Sequence, residues 1–79
     1  MSSQDDGDDV ALELDCRGML CPLPVITLAR RISEVEVGER IAVLADDPAA
    51  SADIPAWCRM RAHTLLESTA DRYLVERTH

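Results

Sequence analysis

The segment Asp15-Cys16-Arg17-Gly18-Met19-Leu20-Cys21-Pro22-Leu23-Pro24 holds the residues best suited to chemistry. Cys21 stands directly before two prolines and a helical pattern. Proline is tolerated in the first helical turn, where its missing N–H would have had no intrahelical partner. The pattern therefore reads Cys21 as the N-cap, with Pro22 and Pro24 at the first and third helical positions. A sulfur held there meets the positive end of the helix macrodipole, which favours thiolate over thiol. The prolines also limit that effect, because they withhold two N–H groups and leave Leu23 as the main donor near the sulfur. The expectation is an exposed, activated thiol whose pKa is lowered only moderately, supported by Pro22, Pro24, Gly18 and Arg17.

The neighbouring residues each carry a functional and a structural reading. Ser, Asp or Asn would cap a helix better than Cys21, and an exposed thiol risks oxidation, so capping alone is a poor reason for a cysteine there. Cys16 forms a Cys-x₄-Cys pair with Cys21 and is a candidate second thiol. It also sits at a strand end, where a small buried hydrophobe is ordinary. Cys58 falls on a core-facing helical stripe and reads as structural. Arg17 either steadies a sulfur anion by charge or is a solvated loop residue. Asp46 and Asp47 precede Pro48 and read as turn and cap formers. His63 follows the second helix, whose C-terminus it would stabilise as a cation. A metal site needs three or four well-placed ligands, and only Cys16 and Cys21 lie close in sequence, so neither metal nor cofactor is expected.

The run Asp15, Arg17, Gly18 and Cys-Pro-x-Pro resembles the TusA (SirA-like) sulfur-carrier family. So does the block Ala45-Asp46-Asp47-Pro48, followed by Asp53-Ile54-Pro55-Ala56-Trp57-Cys58 and His63. The resemblance spans residues 10–77, with the two motifs about 25 residues apart, as in the family. It implies a catalytic Cys21 that accepts sulfane sulfur as a persulfide. The donor would be a cysteine desulfurase or a rhodanese-like protein, and the recipient an acceptor protein. The acceptors it suggests serve tRNA thiolation, molybdenum cofactor assembly or sulfur oxidation. Cys16 and Arg17 stand at positions the family pattern leaves open, so neither inherits a role. No general acid or base adjoins Cys21 in sequence, which fits a monomeric sulfurtransferase-type carrier better than an autonomous multi-turnover enzyme. The alternative is a redox-responsive regulatory or adaptor domain that uses Cys16 and Cys21 as a dithiol switch. A third reading is an interaction module whose acidic surface docks on a basic partner.

Composition narrows the classes. Seventy-nine residues allow one small domain, and a domain of that size buries only about 60% of its unfolded surface. The chain is 47% hydrophobic yet has no Phe, one Trp and one Tyr, so its core must be largely aliphatic. Four of its 15 acids, Asp5, Asp6, Asp8 and Asp9, lie in the first nine residues, leaving 11 acids against eight bases over residues 10–79. A nucleic-acid binder should show a basic stripe; none is visible, so direct nucleic-acid contact is not expected. No window approaches the ~18 apolar residues of a membrane span, and no secretory signal opens the chain. Three cysteines without secreted-domain spacing argue against a disulfide framework and for the cytoplasm.

The elements that must position Cys21 follow from periodicity. Residues 1–9 are small, polar and acidic and read as a disordered tail, leaving residues 10–79 as the single domain. Val10, Leu12 and Leu14 alternate with polar neighbours as a half-buried strand. Gly18, free to take a positive φ, turns the chain toward the helix. Val25, Leu28, Ala29 and Ile32 make the stripe of an amphipathic helix ending near Glu34 or Val35. Ile41 to Ala45 is an unbroken apolar run suited to a central strand covered on most of both faces. The second helix is expected to begin at Asp53 as N-cap, with Pro55 in its first turn and Ile54, Trp57 and Cys58 facing the sheet. Residues 64–69 and 72–77 read as two strands joined at Ala70-Asp71. A right-handed crossover makes the first two strands parallel. The fold class is an α/β two-layer sandwich, βαβαββ, with a four-stranded mixed sheet and two helices on one face.

Overall fold

Alternating apolar residues draw Val10–Asp15 into strand β1, and the apolar run that follows the first helix becomes β2 (Arg40–Leu44). Between them lie α1 (Leu23–Arg31) and a 3₁₀ turn over Ile32–Glu34; α2 (Ala50–Arg61), β3 (Thr64–Ser68) and β4 (Arg72–Glu76) complete the chain. The computed structural model describes residues 10–20 and 22–79; the acidic segment 1–9 and Cys21 lie outside the described residues. The sheet order is β1-β2-β4-β3. β1 runs parallel to β2, while β4 pairs antiparallel with both β2 and β3. The architecture is the expected two-layer sandwich, with two helices against a four-stranded mixed sheet.

One face of the sheet supplies Leu14, Ile41, Val43, Tyr73 and Val75 to a core completed by Leu28, Ala50, Ile54, Trp57 and Cys58 from the helices. The α2 residues expected to face the sheet do so. β2 is central and, as expected, covered on both faces. On the face turned away from the helices Ala42 is fully buried, with Glu13 and Leu74 as its direct cross-strand partners.

Both helix starts differ from the periodicity reading, and proline is involved in each. Pro22, not Cys21, occupies the N-cap of α1, and its carbonyl accepts the first helical bond from the Ile26 N–H at 3.0 Å. A tight turn closed by the Leu23 N–H on the Leu20 carbonyl (2.9 Å) leads the chain into the helix, so Pro24 falls at the second helical position. α2 begins at Ala50 rather than after Asp53, with Pro55 inside it. Its entry is wound tightly: the N–H groups of Ala50, Ser51 and Ala52 donate three residues back, to Asp47, Pro48 and Ala49. Asp47 Oδ1 accepts the Ala49 N–H at 3.0 Å, and the Ser51 hydroxyl donates to the Pro48 carbonyl. Those bonds start a helix upstream of Asp53 despite the donor that Pro55 lacks.

The end of α2 carries a paired-bond cap. The His63 N–H reaches back to the Cys58 carbonyl (2.9 Å) and the Ala62 N–H to that of Arg59 (3.4 Å), with Ala62 left-handed at φ 61°. This is the geometry in which glycine is usual. His63 does not act as the expected cation. Its Nδ1 accepts the Thr78 N–H, its ring stacks on Trp57 and His79, and burial with nearby His79 and Arg77 lowers its pKa. A neutral imidazole fits these partners.

Ala62→Gly is expected to stabilise the protein. Removing the left-handed strain on Cβ outweighs the added chain entropy by about 0.5–1 kcal/mol, which raises Tm by roughly 2–8 °C for a domain of this size. Thermal unfolding followed by circular dichroism checks it; a lower Tm for the glycine variant would show that Ala62 is not strained.

Candidate functional site

The C-terminal ends of the parallel strands β1 and β2 feed two loops on the same edge of the sheet, where open α/β sheets generally place their ligands. The β3–β4 turn joins them, since the Ala45 N–H donates to the Asp71 carbonyl at 3.1 Å. Cys21 itself lies outside the described residues; the loop and helix on either side of it are defined.

The loop before Cys21 is a closed hydrogen-bonded unit. The Cys16 N–H donates to the Leu44 carbonyl (2.7 Å), extending the β1–β2 ladder, and the Met19 N–H returns to the Cys16 carbonyl (3.1 Å). Gly18, at the third position of that four-residue turn, has φ 84°, the left-handed conformation a type II turn requires there. The middle peptide of such a turn points its N–H away from the turn, so it needs an outside acceptor. Asp46, 28 residues later at the end of β2, supplies it: Gly18 N–H to Oδ1, 3.0 Å. The Arg17 N–H donates to Asp15 Oδ1 at 3.2 Å. Four consecutive amides, 16 to 19, are thus engaged within the protein.

Arg17 is committed in the same way. Its guanidinium grips Asp15 in a two-pronged fork, Nε to Oδ1 at 2.9 Å and Nη2 to Oδ2 at 2.8 Å. That contact holds the Asp15 carboxyl down to about 2 and raises the arginine pKa, with Asp46 and Asp71 adding to the negative field around it. The pair is exposed, so its worth to stability is small; its effect is to neutralise Arg17 locally. Leu23, expected to offer its N–H to the sulfur, donates instead to the Leu20 carbonyl. The donors that the sequence places near Cys21 are therefore largely spoken for.

The other two cysteines are sealed. Cys16 has no exposed surface; burial raises its thiol pKa, partly offset by a hydrogen bond with the Thr27 side chain. Cys58 is 2% exposed, and burial pushes its thiol up to about 11. The residues flanking Cys21 differ. Pro22 is exposed, Leu20 keeps 73% of its surface and Leu23 and Ile26 nearly half of theirs, whereas Pro24 is fully buried and anchors the helix start. Among the described residues, no group of three His, Cys, Asp or Glu could hold a metal ion, and no helix is long and apolar enough to cross a membrane.

Sequence reasoning assigned Asp46 to turn formation, a task the structure gives to Asp47, and missed its reach to Gly18. Two adjacent aspartates after a strand point to different sides, and that was the available signal. The Asp15–Arg17 pair was likewise readable only as an i, i+2 spacing of opposite charges.

The model of the sulfurtransferase TusA family matches residues 12–76. A solved SirA-like protein from Desulfitobacterium hafniense shares the fold, with a TM-score of 0.65 and 20% identity over 82% of this chain and 93% of that one. The chain belongs to the TusA sulfurtransferase family. Sulfur transfer is the role that membership implies, and family members relay sulfur between proteins.

With its neighbouring donors engaged, the Cys21 thiol is expected to titrate only slightly below the ordinary cysteine value of about 8.5. Because Arg17 is neutralised by Asp15, the paired substitution Asp15→Asn with Arg17→Gln removes both charges and leaves that value unchanged. Iodoacetamide labelling of the Cys21 peptide against pH, read by mass spectrometry, measures both. A rise of one unit or more in the paired variant would show that the guanidinium serves the sulfur.

Proposed function

We propose that Cys21 is the carrier thiol of a cytoplasmic sulfur relay, loaded as a persulfide by a cysteine desulfurase or a rhodanese-like protein and unloaded onto an acceptor protein. The Cys21 thiolate attacks the outer sulfur of the donor's persulfide. A new bond forms between Cys21 Sγ and that sulfur, the donor's S–S bond breaks, and the donor cysteine leaves as thiolate. The exchange is redox-neutral and needs no cofactor. Delivery to the acceptor, for tRNA thiolation, molybdenum cofactor assembly or sulfur oxidation, repeats the step with roles reversed. Residues 10–79 act as one monomeric unit in it. Pro22 and Pro24 set the helix start behind the sulfur, while Gly18 and Arg17 belong to the loop that leads into it.

One observation carries this reading beyond family membership: the fold buries Cys16 and Cys58 and raises the pKa of both thiols, while the neighbours of Cys21 on both sides are exposed. A sulfur that must pass between two proteins requires an accessible thiol. The dithiol-switch alternative requires Cys16 to meet Cys21, and full burial of Cys16 works against it.

Incubation with a cysteine desulfurase and cysteine is expected to add the mass of one sulfur atom to the intact chain, lost again on reduction. Cys21→Ser should stay folded by circular dichroism and gain no sulfur; a gain retained in that variant would place the carrier thiol elsewhere.

A further inference from the structure

We propose that Asp46 is a positioning residue for sulfur transfer, acting through the Gly18 amide to fix the loop that leads to Cys21. This rests on the reading of Cys21 as the carrier thiol. The geometry is specific. Asp46 follows Leu44 and Ala45, and both are tied down: the Leu44 carbonyl by the Cys16 N–H and the Ala45 N–H by the Asp71 carbonyl. The carboxylate therefore stands on a fixed point at the sheet edge. Its partner is the outward-facing amide of a turn whose glycine must hold φ 84°.

Of the four engaged amides in the loop, those of Arg17 and Met19 bond within the loop or its own strand, to Asp15 and Cys16. The Cys16 amide ties down only the root of the loop, to Leu44. The Gly18 bond to Asp46 is the tie that holds the tip of the turn to the second loop. Met19, the next residue, packs its partly buried side chain against the core, and Pro24 is buried beyond Cys21. Without Asp46 the turn keeps its own bonds and Met19 its packing, but the tip at Gly18 loses its tie to the second loop, and the path of the loop from Cys16 toward the helix start is less tightly set.

Transfer between two proteins requires the sulfurs to align within a docked complex, whereas a small reagent finds a thiol from any direction. Loss of positioning should therefore separate the two reactions, since misplacement by about 1 Å can cost up to 10²-fold in an oriented step. The wild-type chain, Asp46→Ala and Asp46→Asn are each offered a persulfidated rhodanese, and the rate of sulfur gain is followed by intact mass. Iodoacetamide labelling of Cys21 above its pKa and amide hydrogen exchange at Gly18 are measured alongside. Asp46→Ala is expected to slow sulfur uptake about tenfold or more, leave iodoacetamide labelling within about twofold, and speed Gly18 exchange. Asp46→Asn keeps the Oδ1 acceptor and should behave as wild type in all three.

Equal uptake by the wild-type chain and Asp46→Ala would overturn the proposal. So would an Asp46→Asn variant as slow as Asp46→Ala, which would assign the effect to charge. If the wild-type chain itself takes no sulfur, the carrier reading fails, and Gly18 exchange then decides on its own: unchanged exchange in Asp46→Ala overturns the tie, while faster exchange there, but not in Asp46→Asn, upholds it.

Discussion

The hydrogen bond from the Cys16 N–H to the Leu44 carbonyl, 2.7 Å long, carries the parallel pairing with β2 one residue past the end of β1. Much of the site depends on that extension. It holds the Cys16 side chain beneath α1, in the core with Leu14 and Leu28, and so withdraws one thiol from solvent. It also compels the chain to turn outward at once, and Gly18 makes the turn with a left-handed φ that other residues adopt only at a cost of about 1 kcal/mol or more. Five residues after Cys16 comes Cys21, immediately before the helix start at Pro22. A single register choice in the sheet thus assigns Cys16 to the core.

Desolvation then separates the thiols chemically. A buried thiol is held neutral because its anion would lose hydration without compensation, and this is the main cause of the raised pKa at Cys16 and Cys58. Among the described residues, the loop ahead of Cys21 does not leave amides 16 to 19 free as an anion-binding nest. Its amides serve Leu44, Asp15, Asp46 and Cys16, and its arginine serves Asp15. Such a loop supplies a stiff support rather than strong activation. Modest activation would suit the proposed carrier role, because a very low thiol pKa also weakens nucleophilicity. The exposed Leu20, Leu23 and Ile26 leave the surface near this end of α1 apolar.

The βαβαββ order was legible because strand and helix periods switch cleanly along the chain, from Val10, Leu12 and Leu14 to Val25, Leu28 and Ile32 and back at Ile41. The sheet order was not. Placing β4 between β2 and β3 depends on pairings such as Val43 with Tyr73, which no local pattern encodes. The helix starts were misplaced for a related reason. Proline reports where an N–H is missing, but Pro22 and Pro55 do not say which carbonyl opens the helix; the Leu20–Leu23 turn and the turn that Asp47 closes on Ala49 decide that. At the candidate site, Cys21 and Gly18 announce themselves by type and spacing. The engagement of the Leu23 amide and the reach of Asp46 to Gly18 do not, because both depend on where two loops meet after folding.

Native-state alkylation of all three cysteines in one sample tests the central claim most directly. Under excess iodoacetamide at neutral pH, quenched over time and read peptide by peptide, Cys21 should label at the rate of an accessible thiol. Cys16 and Cys58 should stay protected, reacting only through rare opening and becoming fully reactive in denaturant. Labelling of Cys16 at a rate comparable to that of Cys21 in the folded protein would contradict the partition of thiols on which the carrier assignment stands.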